Sequence, residues 1–403
     1  MLAILQAKKI ILGVTGGIAA YKAVELLRRL IKAEARVQVV MTRSAQEFVA
    51  PLTFQALSGV PVRTALFGVD AAPLEHISLG QDVDALVIAP ATANIIGKIA
   101  AGLGDDLLTT VVLAATRPIL VCPAMNVKMY ENPVVQENLE RLRLRGFHLM
   151  PPDSGEMACG AYGSGRLPEP ADIVEALATL LTPKDLQGRR ILVSAGPTHE
   201  DLDPVRFLTN RSTGKMGYAL AQMARRRGAD VCLVSGPSSL AAPLGVERLM
   251  VRSALEMQQV LLERFPETDA LLMAAAVSDY RPASFAGQKI KRGGDEMIVR
   301  LTHNPDILQS LSSLKTRQVM VGFAAETEDI YTHARQKLER KHLDLIVAND
   351  VKALNSGFAV DTNQVTIIHR SGQVEPLPLL SKAAAADRVL DRLVALLDAP
   401  LVR

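Results

Sequence analysis

The sequence predicts an α/β protein built from two doubly wound, mostly parallel domains of Rossmann-like type. Three observations lead there. Short apolar runs alternate with amphipathic stretches of helical period from the first residues onward. The runs are apolar throughout instead of alternating with polar residues, which is the pattern of parallel strands covered on both faces. The alternation stops near residue 182, passes through a polar stretch (TPKDLQGRR), and then restarts. The expected boundaries are a domain over 1–183, a linker over 184–189 and a second domain over 190–403.

In chain order, KKIILGVTG is an apolar run closed by glycine, and 21–33 carries apolar residues at helical spacing with Lys22, Arg28, Arg29 and Lys32 on other faces. RVQVVMT, DALVIAPAT and RPILVCPAM are the next strands. Between the last two, 93–115 reads as helix broken near Gly102 and Gly104. Residues 151–170 are rich in proline and glycine and predict a structured loop or flap, a length of connection that is usually functional. A helix over 171–181 closes the first half. The second half opens with RILVSAG, then a helix over 218–227 with a basic end stopped by Gly228. DVCLVSG, DALLMAAAV, QVMVGFAAE and LDLIVAND are further strands. A hairpin is expected around Ser371 and Gly372, and a helix over 382–397 ends the pattern.

Composition narrows the function. The 403 residues are 49% hydrophobic and 22% charged, an ordinary globular mix. Lys plus Arg number 45 against 42 Asp plus Glu, a net charge of +3, too balanced for a chain whose main partner is nucleic acid. Aromatic residues are 4% and tryptophan is absent, which argues against base-stacking platforms. Cys122, Cys159 and Cys232 are too few and scattered for a disulfide framework or a zinc site. The expectation is a reducing, cytoplasmic setting with no membrane span.

The first candidate site lies where strands give way to helices. Gly13, Gly16 and Gly17 stand at such a junction, where backbone N–H groups meet a phosphate or simply make a tight connection. The spacing GVTGGIAA is not GxGxxG. The following strand ends at Thr42-Arg43-Ser44, with hydroxyls and an arginine but no acid for an adenosine ribose. A mononucleotide such as FMN therefore suits the site better than NAD. Thr92 and Asn94 lie at the end of another strand, suited to ligand contact or to helix capping. Asn126, in PAMN, follows the next strand and can donate to a carboxylate or a flavin carbonyl. Cys159 sits among small and polar residues in the flap, a candidate proton donor or nucleophile, whereas Cys122 and Cys232 lie in apolar strands as inert thiols. His76, taken alone, reads as a surface or packing histidine.

GGIAAYK, His76, PATANxxxK, PAMNxxMY and ACGxxGxGRxxEP, in this order over nearly all of residues 8–180, resemble the flavin-dependent phosphopantothenoylcysteine decarboxylases. The resemblance implies a flavodoxin-like flavoprotein domain with bound FMN and a substrate whose cysteinyl carboxylate leaves as CO₂. Oxidising the thiol to a thioaldehyde first gives the departing electrons a place to go. Carried over by motif, Cys159 protonates the intermediate, Asn126 holds the substrate carboxylate and His76 orients or deprotonates substrate. Gly16, Gly17, Thr42, Thr92 and Asn94 contact FMN, and Arg166 reaches substrate.

The second candidate site runs from Ala195 to Gly217. Gly196, Ser212, Thr213, Gly214 and Lys215 resemble a phosphate cradle without matching GxxxxGK[ST], and the same residues suit a capped helix with a polar lead-in. Arg206 and Asn210 stand in the middle, suited to an anionic or carbonyl-bearing ligand. Asp279 follows the strand ending AAAV. KIKR, over 289–292, is a solvated loop or a triphosphate contact. Lys337 and Lys341 are four apart and share a helix face. With NPDI and GFAAET, these motifs resemble phosphopantothenate–cysteine ligase, over roughly 189–400. One departure is visible, Ser212-Thr213 where two serines are expected. The resemblance implies that CTP activates 4′-phosphopantothenate as an acyl-cytidylate, which the cysteine amine then attacks. Ala274, Ala275, Ala276, Asp279, Lys289, Asn304, Pro305, Asp306, Ile307, Phe323, Lys337 and Lys341 form the CTP pocket. Asn210 holds the acyl-cytidylate and Arg206 lies nearby on substrate. Mg²⁺ accompanies the triphosphate, with no motif naming its ligands.

Together the two halves imply consecutive steps of coenzyme A biosynthesis on one chain, ligation and then decarboxylation, in a homo-oligomer acting on small molecules and on neither nucleic acid nor membrane. Two rivals stay open. One is a flavin or nicotinamide oxidoreductase with a nucleotide-binding second domain. The other is a flavin-binding regulatory subunit.

Overall fold

A computed structural model describes residues 3–67, 74–156, 160, 162–292, 297–326, 330–350 and 360–399. Two compact units divide the chain at Thr182 and Pro183.

The N-terminal unit runs β1 (Lys9–Val14), α1 (Ala20–Lys32), β2 (Arg36–Met41), α2 (Pro51–Ser58), α3 (Glu75–Gln81), β3 (Ala85–Ala91), α4 (Ala93–Ala101), α5 (Leu107–Ala114), β4 (Ile119–Pro123), α6 (Val127–Tyr130), α7 (Pro133–Leu144), β5 (His148–Leu149), β6 (Asp153–Glu156), β7 (Tyr162–Arg166) and α8 (Pro170–Leu181). Its five-stranded sheet has the order β2-β1-β3-β4-β5 with every pairing parallel. That is the flavodoxin-like order, and it reverses between β1 and β3.

The apolar runs explain the layering. Ile10, Leu12 and Val14 of β1 face one core, with Val87 and Ala89 of β3 and Leu26, Leu27 and Leu30 of α1. Ile11 faces the other, with Leu86 and Ile88 of β3 and Ile95, Ile96 and Ile99 of α4. Successive strand residues point to opposite faces, so a run apolar at every position needs a helical layer on each side. The stretch expected as one broken helix over 93–115 is two. Gly102, at φ 72°, ends α4 in a left-handed cap, and Asp106 opens α5 in a capping box with Thr109. The flap is a hairpin, β6 against β7.

The C-terminal unit runs β8 (Arg190–Ala195), β9 (His199–Asp201), β10 (Phe207–Thr209), α9 (Lys215–Arg226), β11 (Asp230–Ser235), β12 (Glu247–Met250), α10 (Ala254–Arg264), β13 (Ala270–Met273), β14 (Tyr280–Pro282), β15 (Leu301–His303), α11 (Ile307–Ser312), β16 (Val319–Glu326), α12 (Ile330–Arg340), β17 (Leu345–Asp350), β18 (Thr362–Asn363), β19 (Val365–His369), β20 (Val374–Pro376), β21 (Leu380–Ser381) and α13 (Lys382–Leu397). The main sheet has the order β12-β11-β8-β13-β16-β17-β19-β20. Six strands are parallel, in the Rossmann order 3-2-1-4-5-6, and β19 and β20 add an antiparallel edge. Helices α9 and α13 pack on one face, and α10, α11 and α12 on the other.

Helix α9 lies unusually close to β8. A Cβ added at Gly217 would stand 2.5 Å from Ala195 Cβ and 2.8 Å from Ser194 O. Alanine is the better helix former by about 1 kcal/mol, so an uncrowded site would gain stability from Gly217→Ala. The close approach reverses that sign. The expected outcome is a loss of about 1–3 kcal/mol in the urea unfolding of the C-terminal unit.

Candidate functional site

Three strand ends meet at the reversal of the N-terminal sheet, and each is shaped by a helix start. Thr42, Thr92 and Asn126 follow β2, β3 and β4. Each accepts a hydrogen bond from a backbone N–H of the turn it opens, from Ala45, Ile95 and Lys128 respectively. The capping role considered for Thr92 is therefore realised, and Thr42 and Asn126 share it. Asn94 lies exposed in the first turn of α4.

A buried hydroxyl ties the central pair of strands together. Thr15 Oγ1 donates to Pro90 O at 2.7 Å and accepts from Thr92 N–H at 3.1 Å. The Ala89–Pro90 peptide beside it is cis. At Gly16 the loop after β1 then passes against its neighbour with no room to spare. A Cβ at Gly16 would stand 2.4 Å from Ser44 Cβ, and one at Gly17 would stand 3.4 Å from Thr92 Cγ2. Small residues, hydroxyls and backbone donors at one strand-end crevice fit a mononucleotide phosphate and a flavin ring edge.

The flap docks on the PAMN turn. Met125 N donates to Gly165 O at 2.9 Å, and a Cβ at Gly163 would stand 2.7 Å from Val127 Cγ2. Arg166, exposed, runs its side chain over Gly155. Lys22 of α1 donates to Leu167 O and Glu169, holding the far end of the flap. Cys159 lies outside the described residues. His76 is half-buried in the first turn of α3. Its neighbour Glu75 pairs at 2.7 Å with Arg63, whose backbone carbonyl accepts from Met41 N at the end of β2. Cys122 is buried in β4, and burial drives its thiol pKa upward. Cys232 is half-buried in β11, where burial first and Glu247 next push its thiol up to about 11.

In the C-terminal unit the sheet reverses between β8 and β13, and the loops after these strands are bonded together. Ala276 N donates to Gly196 O at 2.9 Å, Ala275 N to Ser194 Oγ at 3.1 Å and Ser278 N to Thr198 Oγ1 at 3.0 Å. Asn210 Nδ2 donates to the carbonyls of Ala276 and Val277, both at 3.2 Å. Asn304 Nδ2 donates to Ser278 O at 2.8 Å and its N–H to Asp279 O at 2.8 Å. Asn210, Ala274–Ala276, Asp279 and Asn304 thus form one bonded cluster. The long lead-in to α9 is no irregular loop. It holds the β9–β10 hairpin, where His199 stacks on Phe207 with ring centroids 4.0 Å apart.

Arg206 is half-buried and donates to Ile290 O, beside exposed Lys289. Asp203, buried, accepts from the N–H groups of Val205, Arg206 and Ile290 at 2.8, 2.8 and 3.1 Å. Burial alone would raise its pKa, and the three backbone donors and Arg206 outweigh that and lower it. Pro305 is half-buried. Ile307 puts its side chain into the apolar core, leaving its backbone to any ligand, and Phe323 packs partly buried within β16. Lys337 is half-buried in the last turn of α12. Lys341, just past that helix, pairs with Asp306 at 3.0 Å. Lys215 pairs with Asp361 at 2.7 Å. Buried Lys382 donates to Val360 O, and burial first and Lys215 next bring its pKa down to about 8. A groove of about 330 Å³ between α12 and the β19–β20 hairpin is lined by none of the residues expected to bind or react with a ligand. Among the described residues no group of three or more His, Cys, Asp or Glu is placed to hold a metal, and no helix is long and apolar enough to cross a membrane.

Two family descriptions match the chain: Flavoprotein over residues 3–182, and DNA/pantothenate metabolism flavoprotein C-terminal domain over residues 186–397. The coenzyme A biosynthesis bifunctional protein CoaBC of Vibrio cholerae is 49% identical over 390 residues, 96% of this chain and 98% of that one. Those of Bacillus subtilis and Escherichia coli K12 are each 46% identical, over 97% and 98% of this chain and 98% of theirs. The chain belongs to the bifunctional coenzyme A biosynthesis protein family. Among solved structures, the C-terminal domain of one such bifunctional protein is 40% identical, covering 53% of this chain and 98% of that one, with a TM-score of 0.47.

Within this family's two units, sequence reading passed over Thr15, Ser194 and Asp203. Asp203 carried a signal, since Asp before Pro favours a turn in which the side chain accepts from the N–H two residues on. Thr15 and Ser194 carried none, because a buried hydroxyl in an apolar strand looks like filler until its partner is known.

The Asp306–Lys341 pair gives a test of geometry. Burial raises the Asp306 pKa, while Lys341 and Gln309 N–H lower it further, and the net shift is downward. A carboxyl lowered on folding stabilises above its unfolded pKa of about 3.9, and that contribution is lost as pH falls through the folded value. Lys341→Met is therefore expected to lower stability by about 1 kcal/mol at neutral pH. The gap in melting temperature from wild type should close below about pH 4. A gap independent of pH would show that the pair is not formed.

Proposed function

We propose that the C-terminal unit joins 4′-phosphopantothenate to cysteine using CTP, and that the N-terminal unit, with FMN, decarboxylates the product, 4′-phosphopantothenoylcysteine, to 4′-phosphopantetheine. The observation that carries this reading is the bonded cluster at each sheet's reversal, Thr15–Thr92 in one unit and Asn210–Ala276 in the other, in a chain matched along its length by bifunctional relatives.

FMN, when bound, supplies the redox capacity that lets a cysteinyl carboxylate depart as CO₂. The chain's own part is to bind and orient. Gly16 and Gly17 bring the backbone against the phosphate, and Thr42, Thr92 and Asn94 offer hydroxyl and amide groups. Asn126 holds the substrate carboxylate, His76 orients or deprotonates the substrate, Arg166 meets its far end and Cys159 delivers a proton.

A carboxylate is a poor acyl donor because its leaving group would be oxide, and nucleotidylation supplies a far better one. Negative charge develops on phosphate and acyl oxygens, so the chain's contribution is electrostatic. Lys289, Lys337 and Lys341 face the triphosphate, while Ala274, Ala275, Ala276, Asp279, Asn304, Pro305, Asp306, Ile307 and Phe323 enclose the nucleotide. Asn210 holds the acyl-cytidylate and Arg206 the pantothenate end. Mg²⁺ accompanies the triphosphate, since it commonly binds through one or two carboxylates and the substrate's own phosphates. A cytoplasmic homo-oligomer acting on small molecules completes the reading.

Given CTP, 4′-phosphopantothenate, cysteine and Mg²⁺, the protein should release pyrophosphate and then CO₂, and its spectrum should show a flavin band. Asn210→Ala should cut pyrophosphate release on the order of 100-fold while sparing decarboxylation of supplied 4′-phosphopantothenoylcysteine. Cys159→Ser should spare pyrophosphate release and stop the N-terminal unit's reaction at an oxidised, decarboxylated product, short of 4′-phosphopantetheine. Release of neither pyrophosphate nor CO₂ by the wild type would contradict the assignment.

A further inference from the structure

The Asp203 carboxylate does two separable things. Its Oδ1 accepts from Val205 and Arg206 N–H, which closes the turn that carries Arg206. Its Oδ2 reaches across 87 residues of sequence to accept from Ile290 N–H at 3.1 Å. Arg206 closes the same connection from the other side. Its guanidinium donates to Ile290 O, and its Nε lies 3.6 Å from Asp203 Oδ2. One residue, Ile290, is thus gripped at both its N–H and its carbonyl, in the two peptide units that flank it, by a single turn. Ala286 N also donates to Leu202 O at 3.0 Å, so the segment is laid alongside 202–206 before it reaches Lys289.

The Asp203 side chain is fully shielded from water. A buried carboxylate is costly unless its charge is met by donors, and here backbone donors and Arg206 meet it. Such a group fixes its partners more firmly than a surface hydrogen bond would. Lys289 itself is exposed and on a flexible stem. Its place relative to Arg206 is therefore set by the Ile290 peptide next to it.

We propose that Asp203 is a positioning residue of the ligase unit, holding the Lys289 segment in register with the Arg206 turn so that the groups for nucleotide and pantothenate converge. This rests on the function proposed above for Lys289 and Arg206. Asp203 touches neither substrate and acts through Ile290.

Asp203→Asn separates the two roles. An amide oxygen can still accept from Val205 and Arg206, but the NH₂ group that replaces Oδ2 confronts the Ile290 N–H with a second donor. Ile290→Pro removes the same bond from the other side and leaves Asp203 intact. Amide exchange by mass spectrometry on the full-length protein reads the tie without substrates, and both variants should exchange at least tenfold faster over 288–292. Steady-state ligation reads its consequence. Asp203→Asn should raise KM for CTP at least tenfold with kcat changed less than threefold. Combined with Lys289→Ala, it should be no worse than the worse single variant, since both act through one lysine. Unchanged exchange in both variants would overturn the proposal. So would a CTP KM within twofold of wild type, a loss confined to kcat, or effects that multiply in the double variant. A wild type that binds no CTP would defeat the functional reading, while the exchange comparison would still decide whether Asp203 holds the segment.

Discussion

The constraint on which both units depend is the close approach of backbone to backbone where a parallel sheet reverses its strand order. At such a point two loops leave neighbouring strands in opposite directions and open a crevice, and the floor of that crevice is main chain. In the N-terminal unit the loop after β1 lies against Ser44, where even a methyl group on Gly16 would overlap. In the C-terminal unit a Cβ at Gly236 would stand 1.8 Å from Pro197 O, and Gly214, at φ 82°, opens α9 against Gly196. These contacts put glycine main chain at the crevice floor, where a side chain would overlap its neighbour.

Side chains then stitch the loops together. Thr15 bonds the β1 and β3 ends in one unit, and Ser194 and Thr198 bond the β8 and β13 ends in the other. Both use short hydroxyl side chains that donate and accept within a crowded space. The units differ beyond this level. One is completed by the flap hairpin seated on the PAMN turn, the other by two small hairpins, β9–β10 and β14–β15, linked through Asn210, Asp203 and Asn304.

Much of this was legible in the sequence, for identifiable reasons. Runs such as ILGV and ALVIAPA are apolar at every position, which only a sheet covered on both faces requires, so the parallel architecture followed. The glycine near 102 and the Ser371-Gly372 turn were visible as local conformational demands. Short strands were not. Glu247–Met250 carries charge at its edge position, and His199–Asp201, Phe207–Thr209 and Tyr280–Pro282 are three residues each, too short to show any period. Among site residues, those on glycine-rich or strand-end motifs stood out because their type is unusual for the position. The helix-capping role of Asn126 was harder to see, since an asparagine at a strand end suits ligand contact equally well. The Lys341–Asp306 pair was invisible because nothing in the spacing of 35 residues between them sets their distance.

The most direct test of the account is ligand-dependent amide exchange on the intact protein, with flavin retained or stripped and with or without CTP. Flavin should slow exchange over 14–17, 42–46 and 91–96, and CTP over 195–198, 210–217 and 274–279. Protection by CTP confined to the groove beside α12, or by flavin anywhere but the end of the β1–β3 pair, would contradict the claim that the two reversal points are the two sites.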